Sequence, residues 1–311
     1  MTEYEKRLVQ EALQHYDIGK RKVSFIRHNE NITCKVISED CAYALRIHLP
    51  MEGFSLKLYE TVPVADLMQG EMELLLYLSE RASFPVQTPV QNKCGEYISV
   101  LSDGIRCELL RWVEGKPLDK DRANPYARNL GALAAELHKA AKGFDGVRLS
   151  YSHDLVQRMG AEFDLACEMA HISREQRAVC RAVLDEVDHI MVILDTVPDS
   201  GSLIHADLSF GNVLQTAYGL SPIDFSLSGY GYKVQECGML ASNYIHVREQ
   251  ESIRESYERT AGITIDGHHM QCFLAFSVLL FVAAQHNRFW KEKWFRDAMV
   301  RWTGGLFQEV V

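Results

Sequence analysis

Residues 203–214, LIHADLSFGNVL, place a His-x-Asp-x-x-x-x-Asn pattern between two apolar pairs, and residues 222–225, PIDF, add a second aspartate shortly afterwards. Two short apolar runs around polar residues predict a hairpin-like insertion, and chemistry is often placed on such loops. Asp207 and Asn212 stand at opposite ends of the loop, so both can face one cleft. Asp224 lies on the second arm of the hairpin, near enough to share a metal ion with Asn212.

These three polar residues are the groups that phosphoryl transfer from ATP requires. One carboxylate orients and deprotonates the attacking hydroxyl, while a carboxylate and an amide oxygen hold Mg²⁺ on the phosphates. The pattern therefore predicts Asp207 as the catalytic base and Asn212 and Asp224 as the metal ligands. His205 is predicted to brace the loop by hydrogen bonding. The alternative interpretation is a solvated turn with chance carboxylates.

The segments 205–214 and 223–231 resemble the catalytic and metal-binding loops of the aminoglycoside phosphotransferase/choline kinase family, a branch of the protein-kinase-like fold. The resemblance implies an α+β, two-lobed fold. It also implies an enzyme that uses ATP and Mg²⁺. A small N-terminal lobe, residues 1–110, would combine an antiparallel sheet with a helix and bind the nucleotide. A larger, mainly helical C-terminal lobe, residues 111–311, would carry the catalytic loop and bind the substrate.

A strand residue that holds the nucleotide phosphates is expected in such a fold, where protein kinases use a lysine paired with a helix glutamate. Arg46 occupies an equivalent strand, and the alternation of side chains lets it point into the nucleotide cleft beside Ala44. Its guanidinium offers a bidentate fork to phosphate. Its partner would be Glu71 or Glu73 on the following helix, and the resembled family's pattern favours Glu71. A surface arginine and solvated helix charges are the alternatives.

Three further positions are candidate nucleotide contacts. The turn before the second strand has no glycine, but Asn31 there can offer a polar contact to phosphate. Residues 107–115, CELLRWVEG, resemble the family's hinge, where backbone groups read adenine, and this points to Leu110 and Trp112. Trp112 is explained equally well as a core aromatic residue.

The sequence departs from the resembled family at several positions. Ser226 replaces the glycine of Asp-Phe-Gly but leaves the metal-binding aspartate in place, and Ser209-Phe210 replaces the usual His-Pro. Glu236 occurs where the family usually has an Asp-Leu-Ala segment. That change leaves open whether this chain keeps the structural carboxylate of the segment.

Hydrophobic periodicity supports the two-lobed interpretation. The N-terminal segment has the spacing of an amphipathic helix, and the chain beyond Gly115 is mostly helical. The predicted strands are 24–26, 32–37, 43–47, 97–100 and 107–113, with a turn at 38–40. The predicted helices after the first are 69–78, 130–138, 154–170, 174–196, 242–260, 270–287 and 291–307.

The composition favours a globular cytoplasmic protein. A net charge of −9 argues against nucleic-acid binding, which needs Lys and Arg, and eight scattered cysteines without a Cys-x-x-Cys pair are most simply reduced. The N-terminus lacks an apolar signal region, and the apolar run Phe273–Ala284 is too short to cross a bilayer. Adjacent His268 and His269 point apart with no third ligand spaced nearby, which argues against a zinc enzyme.

The phosphate acceptor would be a small molecule with a hydroxyl group, and in the resembled family such acceptors include aminoglycosides, choline, ethanolamine and homoserine. Asp195, Glu236 and Asp266 could favour a cationic acceptor, and the tryptophans at 290, 294 and 302 could box a quaternary ammonium. Solvation and packing explain both sets equally well. A non-catalytic nucleotide-binding regulator is the alternative function, but it would not need the base and both metal ligands.

Overall fold

The helices and strands follow one another in the order expected of a two-lobed kinase-like chain. The computed structural model describes residues 1–39, 41–51, 57–59, 61–120 and 124–311, so the predicted turn at 38–40 lies partly outside the described residues. The strands are β1 Arg21–His28, β2 Ile32–Ser38, β3 Ala42–Ile47, β4 Ile98–Val100, β5 Arg106–Arg111, β6 Lys116–Pro117, β7 Leu149–Ser150, β8 Gly201–Ile204, β9 Val213–Thr216, β10 Gly219–Pro222 and β11 Gly229–Tyr232. The helices are α1 Glu3–Gln14, α2 Val64–Ser79, α3 Ala127–Ala141, α4 His153–Glu168, α5 Arg174–Asp195, α6 Lys233–Ala241, α7 Val247–Ala261, α8 Gly267–Phe289 and α9 Lys293–Gly304.

The N-terminal part is a five-stranded antiparallel sheet in the order β1-β2-β3-β5-β4. Side-chain alternation assigns its residues to two faces. Leu45 and Leu109 pack with α1 in one hydrophobic cluster, whereas Ala44 and Leu110 belong to the larger cluster that contains α2 and the helical part of the chain. Ala44 and Leu110 are cross-strand partners, so together they line the face of the sheet that looks toward the second lobe.

The C-terminal part is mainly helical, as predicted, and the predicted hairpin insertion is confirmed as the antiparallel pair β9–β10. A second small sheet, β7-β11-β8, holds the start of the catalytic loop next to the segment that follows Asp224. Helix α6 was not predicted, and α7 begins at Val247 instead of residue 242. Helix α6 was missed because it is buried on all sides from Val234 to Ala241 and therefore shows no amphipathic stripe. The proposed lobe boundary at residue 110 stays a prediction.

Helix α8 is longer than the apolar run that predicted it. It has 23 residues, and among the described residues it alone is long and apolar enough to cross a membrane by length and composition. In its most apolar window 56% is buried, and the helix packs against α5 and α6. These contacts are those of a core helix. The cytoplasmic location of the protein stays a prediction.

Candidate active site

The loop between β8 and β9 brings Asp207 and Asn212 into direct contact. Asn212 Nδ2 donates a hydrogen bond to Asp207 Oδ2 at 2.6 Å and a longer one to the Asp207 carbonyl at 3.3 Å. The backbone N–H of Ile223 donates to the Asn212 carbonyl at 2.8 Å, which ties the two arms of the hairpin together. Because Nδ2 is turned to Asp207, the amide oxygen of Asn212 remains available to a cation.

Two residues of this site adopt the left-handed backbone conformation that side chains other than glycine rarely take. Ala206 has a φ of 63° and Asp224 a φ of 66°. The first is held by Glu236, a fully buried carboxylate that accepts hydrogen bonds from the backbone N–H groups of His205 and Ala206. Glu236 therefore supplies the structural carboxylate that the sequence left open. Such conformations persist only where surrounding contacts impose them.

His205 connects the loop that carries Asp207 to the segment that carries Asp224. Its Nε2 lies 3.1 Å from the Ile223 carbonyl, and the backbone N–H of Asp207 donates to its Nδ1 at 3.3 Å. This pairing fixes the proton on Nε2, and the ring packs against Phe225 with the centroids 4.5 Å apart. Burial lowers the pKa of His205, so the ring is neutral and serves to position the loop.

Arg46 is held by two buried carboxylates. Its Nη1 and Nη2 donate to the two oxygens of Glu71 at 2.8 and 2.9 Å, and its Nε donates to Glu108 at 2.5 Å. Glu73 is exposed and accepts instead from Gln69 at 3.0 Å. The structure thus pairs Arg46 with Glu71 and adds Glu108, whose other oxygen contacts His48 at 2.6 Å.

Asp224 faces two arginines of the N-terminal sheet, Arg27 and Arg46. Its Oδ2 accepts from Arg27 Nη2 at 2.6 Å, and its Oδ1 lies 3.6 Å from Arg46 Nη1. Burial acts to raise the pKa of Asp224, but the Arg46 and Arg27 guanidiniums outweigh it and the pKa is lowered. Asp224 is therefore ionised, and the two arginines balance its negative charge. A cation that binds Asp224 would have to displace part of these arginine contacts.

Two other carboxyls of the cluster have the opposite behaviour. Burial and the neighbouring Asp224 charge raise the pKa of Asp207 to about 7, and the same two causes raise the pKa of Glu30, in the turn between β1 and β2, to about 7. The site thus gathers more acidic groups than its arginines neutralise. A cation bound next to Asp224 would balance this excess of negative charge. Metal-dependent phosphoryl transfer requires such an acidic site.

The chain matches one known protein family over most of its length, including the residues of this site. Residues 36–271 match the phosphotransferase enzyme family. The chain belongs to that family. It is an enzyme of the phosphotransferase class, and the match includes the catalytic loop, Asp224 and the strand that carries Arg46.

Individual relatives of this phosphotransferase are small-molecule kinases. The chain is 25% identical over 250 residues to amicoumacin kinase of Bacillus subtilis (strain 168), covering 78% of this chain and 69% of that protein. In fold it is similar to an amicoumacin kinase solved in complex with AMP-PNP, Ca²⁺ and Ami, with a TM-score of 0.76, 17% identity and coverage of 98% of this chain and 93% of that one. A microcompartment-associated aminopropanol kinase gives a TM-score of 0.73 at 19% identity, with coverage of 97% and 95%.

The phosphotransferase holds the segment after Asp224 with a buried arginine that sequence reasoning missed. Arg148 donates to the carbonyls of Phe225, Ser226 and Ser228 at 2.6, 2.9 and 3.1 Å, and to the Ser228 hydroxyl at 3.1 Å. Its Nη1 donates to the carbonyl of Leu67 in α2 at 2.7 Å. One side chain therefore connects the metal-binding segment to the helix that carries Glu71.

The candidate nucleotide contacts occupy different environments. Ala44 and Leu110 are paired and buried on the face that looks toward the second lobe. Trp112 packs against the larger hydrophobic cluster and lies under Lys35 Nζ, 4.2 Å from the ring centroid, while its Nε1 has no hydrogen-bond partner among the described residues. Its role as a nucleotide contact stays a prediction. Asn31 is buried, and within the described part of the chain its Oδ1 has no hydrogen-bond partner.

The acidic residues suggested as an amine site already have structural partners. Glu236 holds the catalytic loop, Asp195 accepts from Tyr232 Oη at 2.6 Å, and Asp266 caps α8 by accepting from the His269 N–H at 2.9 Å. The tryptophans do not form a box either: that at 290 stacks on His171 with the ring centroids 4.6 Å apart, and that at 294 packs against Phe289 and Phe295. Neither set supports recognition of a cationic acceptor.

Glu30 provides a test of the electrostatics that is independent of turnover. We expect Glu30→Gln to raise the melting temperature of the ligand-free protein near about pH 8 and to do so much less near about pH 5. The folded-state pKa is raised to about 7, so the folded protein retains a proton that the unfolded chain releases, and the free energy of unfolding falls as pH rises through this range. Removing the charge should restore about 1–2 kcal/mol, discounted for partial exposure.

Thermal unfolding at the two pH values measures this effect. The matched control is Glu73→Gln, which neutralises an exposed glutamate of α2 and should change the melting temperature little at either pH. A Glu30→Gln effect that is equal at both pH values would contradict the raised pKa.

Proposed function

We propose that this phosphotransferase moves the γ-phosphate of ATP directly to a hydroxyl group of a small molecule. The observation that carries the proposal is the contact between Asp207 and Asn212 beside the acidic cluster around Asp224. A carboxyl with a pKa of about 7 is suited to accept a proton near neutral pH. Family membership and the AMP-PNP and Ca²⁺ complex of the structurally similar amicoumacin kinase support the choice of nucleotide and of a divalent cation.

The residues present fit a hard divalent cation. Asp224 offers carboxylate oxygens and Asn212 an amide oxygen, the donors that Mg²⁺ prefers, and the surrounding carboxyls exceed the neighbouring arginines in number. We assign Asn212 and Asp224 to the metal. When bound, it would neutralise charge on the β- and γ-phosphates. Arg27 and Arg46, which already contact Asp224, lie where their guanidiniums can accompany phosphate oxygens.

The protein's own residues then account for the transfer. The acceptor oxygen attacks the γ-phosphorus, the bond from that phosphorus to the bridging oxygen breaks, and ADP leaves. The hydroxyl proton passes to the Asp207 carboxylate, whose orientation is fixed by Asn212. His205 and Glu236 hold the loop backbone, and the adenine would lie against the Ala44–Leu110 pair next to the hinge. No covalent enzyme intermediate forms.

We assign the acceptor to the amino-alcohol or aminoglycoside class, including homoserine-like molecules. Support comes from the relatives named for amicoumacin and for aminopropanol, the latter an amino alcohol, and from the net charge of −9. All eight cysteines are free thiols, which fits the reducing cytoplasm in which we place the enzyme.

ADP release from Mg-ATP tests the proposed function. We expect acceptor-dependent release with at least one member of a panel of amino alcohols, amino sugars and small hydroxylated metabolites, and a rise in melting temperature with Mg-ATP alone. Omitting the divalent cation should abolish both signals. Nucleotide binding without turnover across the panel would instead favour a regulatory protein on the same fold. Folded protein that neither binds Mg-ATP nor turns over would contradict the proposal.

A further inference from the structure

A second group of metal-ligating side chains lies between α5 and α8, apart from the catalytic loop. Glu186 of α5 and His268 and Cys272 of α8 bring their ligand atoms within 4.8 Å of one another. His268 Nε2 lies 3.2 Å from Glu186 Oε1 and 3.5 Å from Cys272 Sγ. We propose that these three residues form a Zn²⁺ site, which is independent of the phosphotransfer function.

Two of the three separations between the ligand atoms agree with tetrahedral zinc. Zinc binds sulfur at about 2.3 Å and nitrogen or oxygen at about 2.0 Å. At tetrahedral angles these lengths separate the nitrogen from the sulfur by about 3.5 Å and the nitrogen from the oxygen by about 3.3 Å. The observed separations of 3.5 and 3.2 Å match these two edges, and the third, between the Glu186 oxygen and the Cys272 sulfur, is within 4.8 Å.

The local structure explains why these residues meet. His268 and Cys272 are four positions apart, so they share one face of α8, and Glu186 faces them from a helix 82 residues earlier in the chain. Adjacent residues of a helix diverge, and the ring centroids of His268 and His269 are 6.4 Å apart, so His269 lies outside the cluster. The other two proposed ligands come instead from the next helical turn and from α5.

The environment also suits a metal ion. Cys272 is buried, whereas the His268 and Glu186 side chains are 52% and 32% exposed, so the cluster opens to solvent on one side. A water molecule can take the fourth position of a tetrahedral zinc ion on this open side. A thiolate and an imidazole together prefer Zn²⁺ to Mg²⁺, which distinguishes this site from the oxygen-only site of the catalytic loop. Bound zinc would clamp α5 to α8.

The test is zinc binding by the full chain in a large excess of Mg²⁺, with the thiols kept reduced by a phosphine that does not bind metal. Equilibrium dialysis against Zn²⁺ should give about one tightly bound ion per chain, and Co²⁺ in its place should show a thiolate charge-transfer band. We expect His268→Ala and Cys272→Ser to weaken the binding at least about 100-fold and to lose the band. Zn²⁺ should also raise the melting temperature of the wild-type protein but not of these variants.

His269→Ala is the matched control, because it removes a neighbouring imidazole outside the cluster and should leave zinc binding unchanged. His268→Ala changes an exposed position, so it keeps the test valid if the buried Cys272→Ser variant folds poorly. Tight binding of equal strength in wild type, His268→Ala and His269→Ala would locate zinc elsewhere and overturn the proposal. A folded, reduced wild-type protein that binds no Zn²⁺ would overturn it as well.

Discussion

Asp207→Asn should lower the turnover number for acceptor phosphorylation about 1,000-fold or more, with little change in Mg-ATP binding. The asparagine keeps the size of the side chain but cannot take the acceptor proton. Asn212 and Asp224 are unchanged, so the oxygen donors assigned to the cation remain. The variant should therefore retain the nucleotide-induced rise in melting temperature while it loses the chemical step.

The pH dependence of turnover provides a second readout of the same residue. A general base must be deprotonated, so the wild-type rate should rise with pH until Asp207 is ionised. Burial and Asp224 raise its pKa to about 7 in the free protein, and a cation beside Asp224 cancels part of that effect. The acid limb of the turnover number should therefore lie below about pH 7, and the residual rate of Asp207→Asn should lack that limb.

Steady-state kinetics with the acceptor identified by the panel measure both effects. Asp185→Asn, which changes an exposed aspartate of α5 in the same way, is the matched control and should behave as wild type. Turnover of Asp207→Asn within about tenfold of wild type would contradict the assignment of the base. Accumulation of a phosphorylated enzyme during the reaction would contradict direct transfer.

The part of the site that is predictable from sequence is the part that is local in the chain. Asp207 and Asn212 lie five positions apart in a loop between two short strands. Most arrangements of such a short loop bring the two side chains close together. Asp224 follows on the adjoining hairpin arm. The alternation of β3 likewise places Arg46 beside Ala44, because successive strand residues face opposite sides.

The rest of the site depends on contacts between residues that are distant in sequence. Arg27 reaches Asp224 across 197 positions and Arg148 reaches Ser228 across 80, and neither arginine lies in a motif. Glu108 did leave a signal that sequence reasoning overlooked: a single carboxylate in the apolar run from Cys107 to Leu110 is costly to bury unless it is paired. The pairing partner, Arg46, became evident only when β3 and β5 were placed side by side.

Arg148→Met should lower the free energy of unfolding by about 3 kcal/mol, although the substitution keeps most of the side-chain volume. Arg148 is buried, and burial lowers its pKa, so its charge is tolerated only because its donors are used. They hold the carbonyls of Phe225, Ser226 and Ser228 in the segment after Asp224 and the carbonyl of Leu67 in α2. Methionine would leave several of these acceptors buried without a donor, which costs more than losing an exposed ion pair.

Chemical denaturation and turnover measured together separate this role from a purely local one. The control Arg128→Met removes an exposed arginine of α3 and should change stability by less than about 0.5 kcal/mol. Because Arg148 links the Asp224 segment to the helix of Glu71, its loss should also weaken Mg-ATP binding under conditions in which the variant is still folded. A folded Arg148→Met protein with wild-type stability and wild-type Mg-ATP affinity would show that the Arg46–Glu71 pair and the hairpin hold Asp224 in its left-handed conformation without this connection.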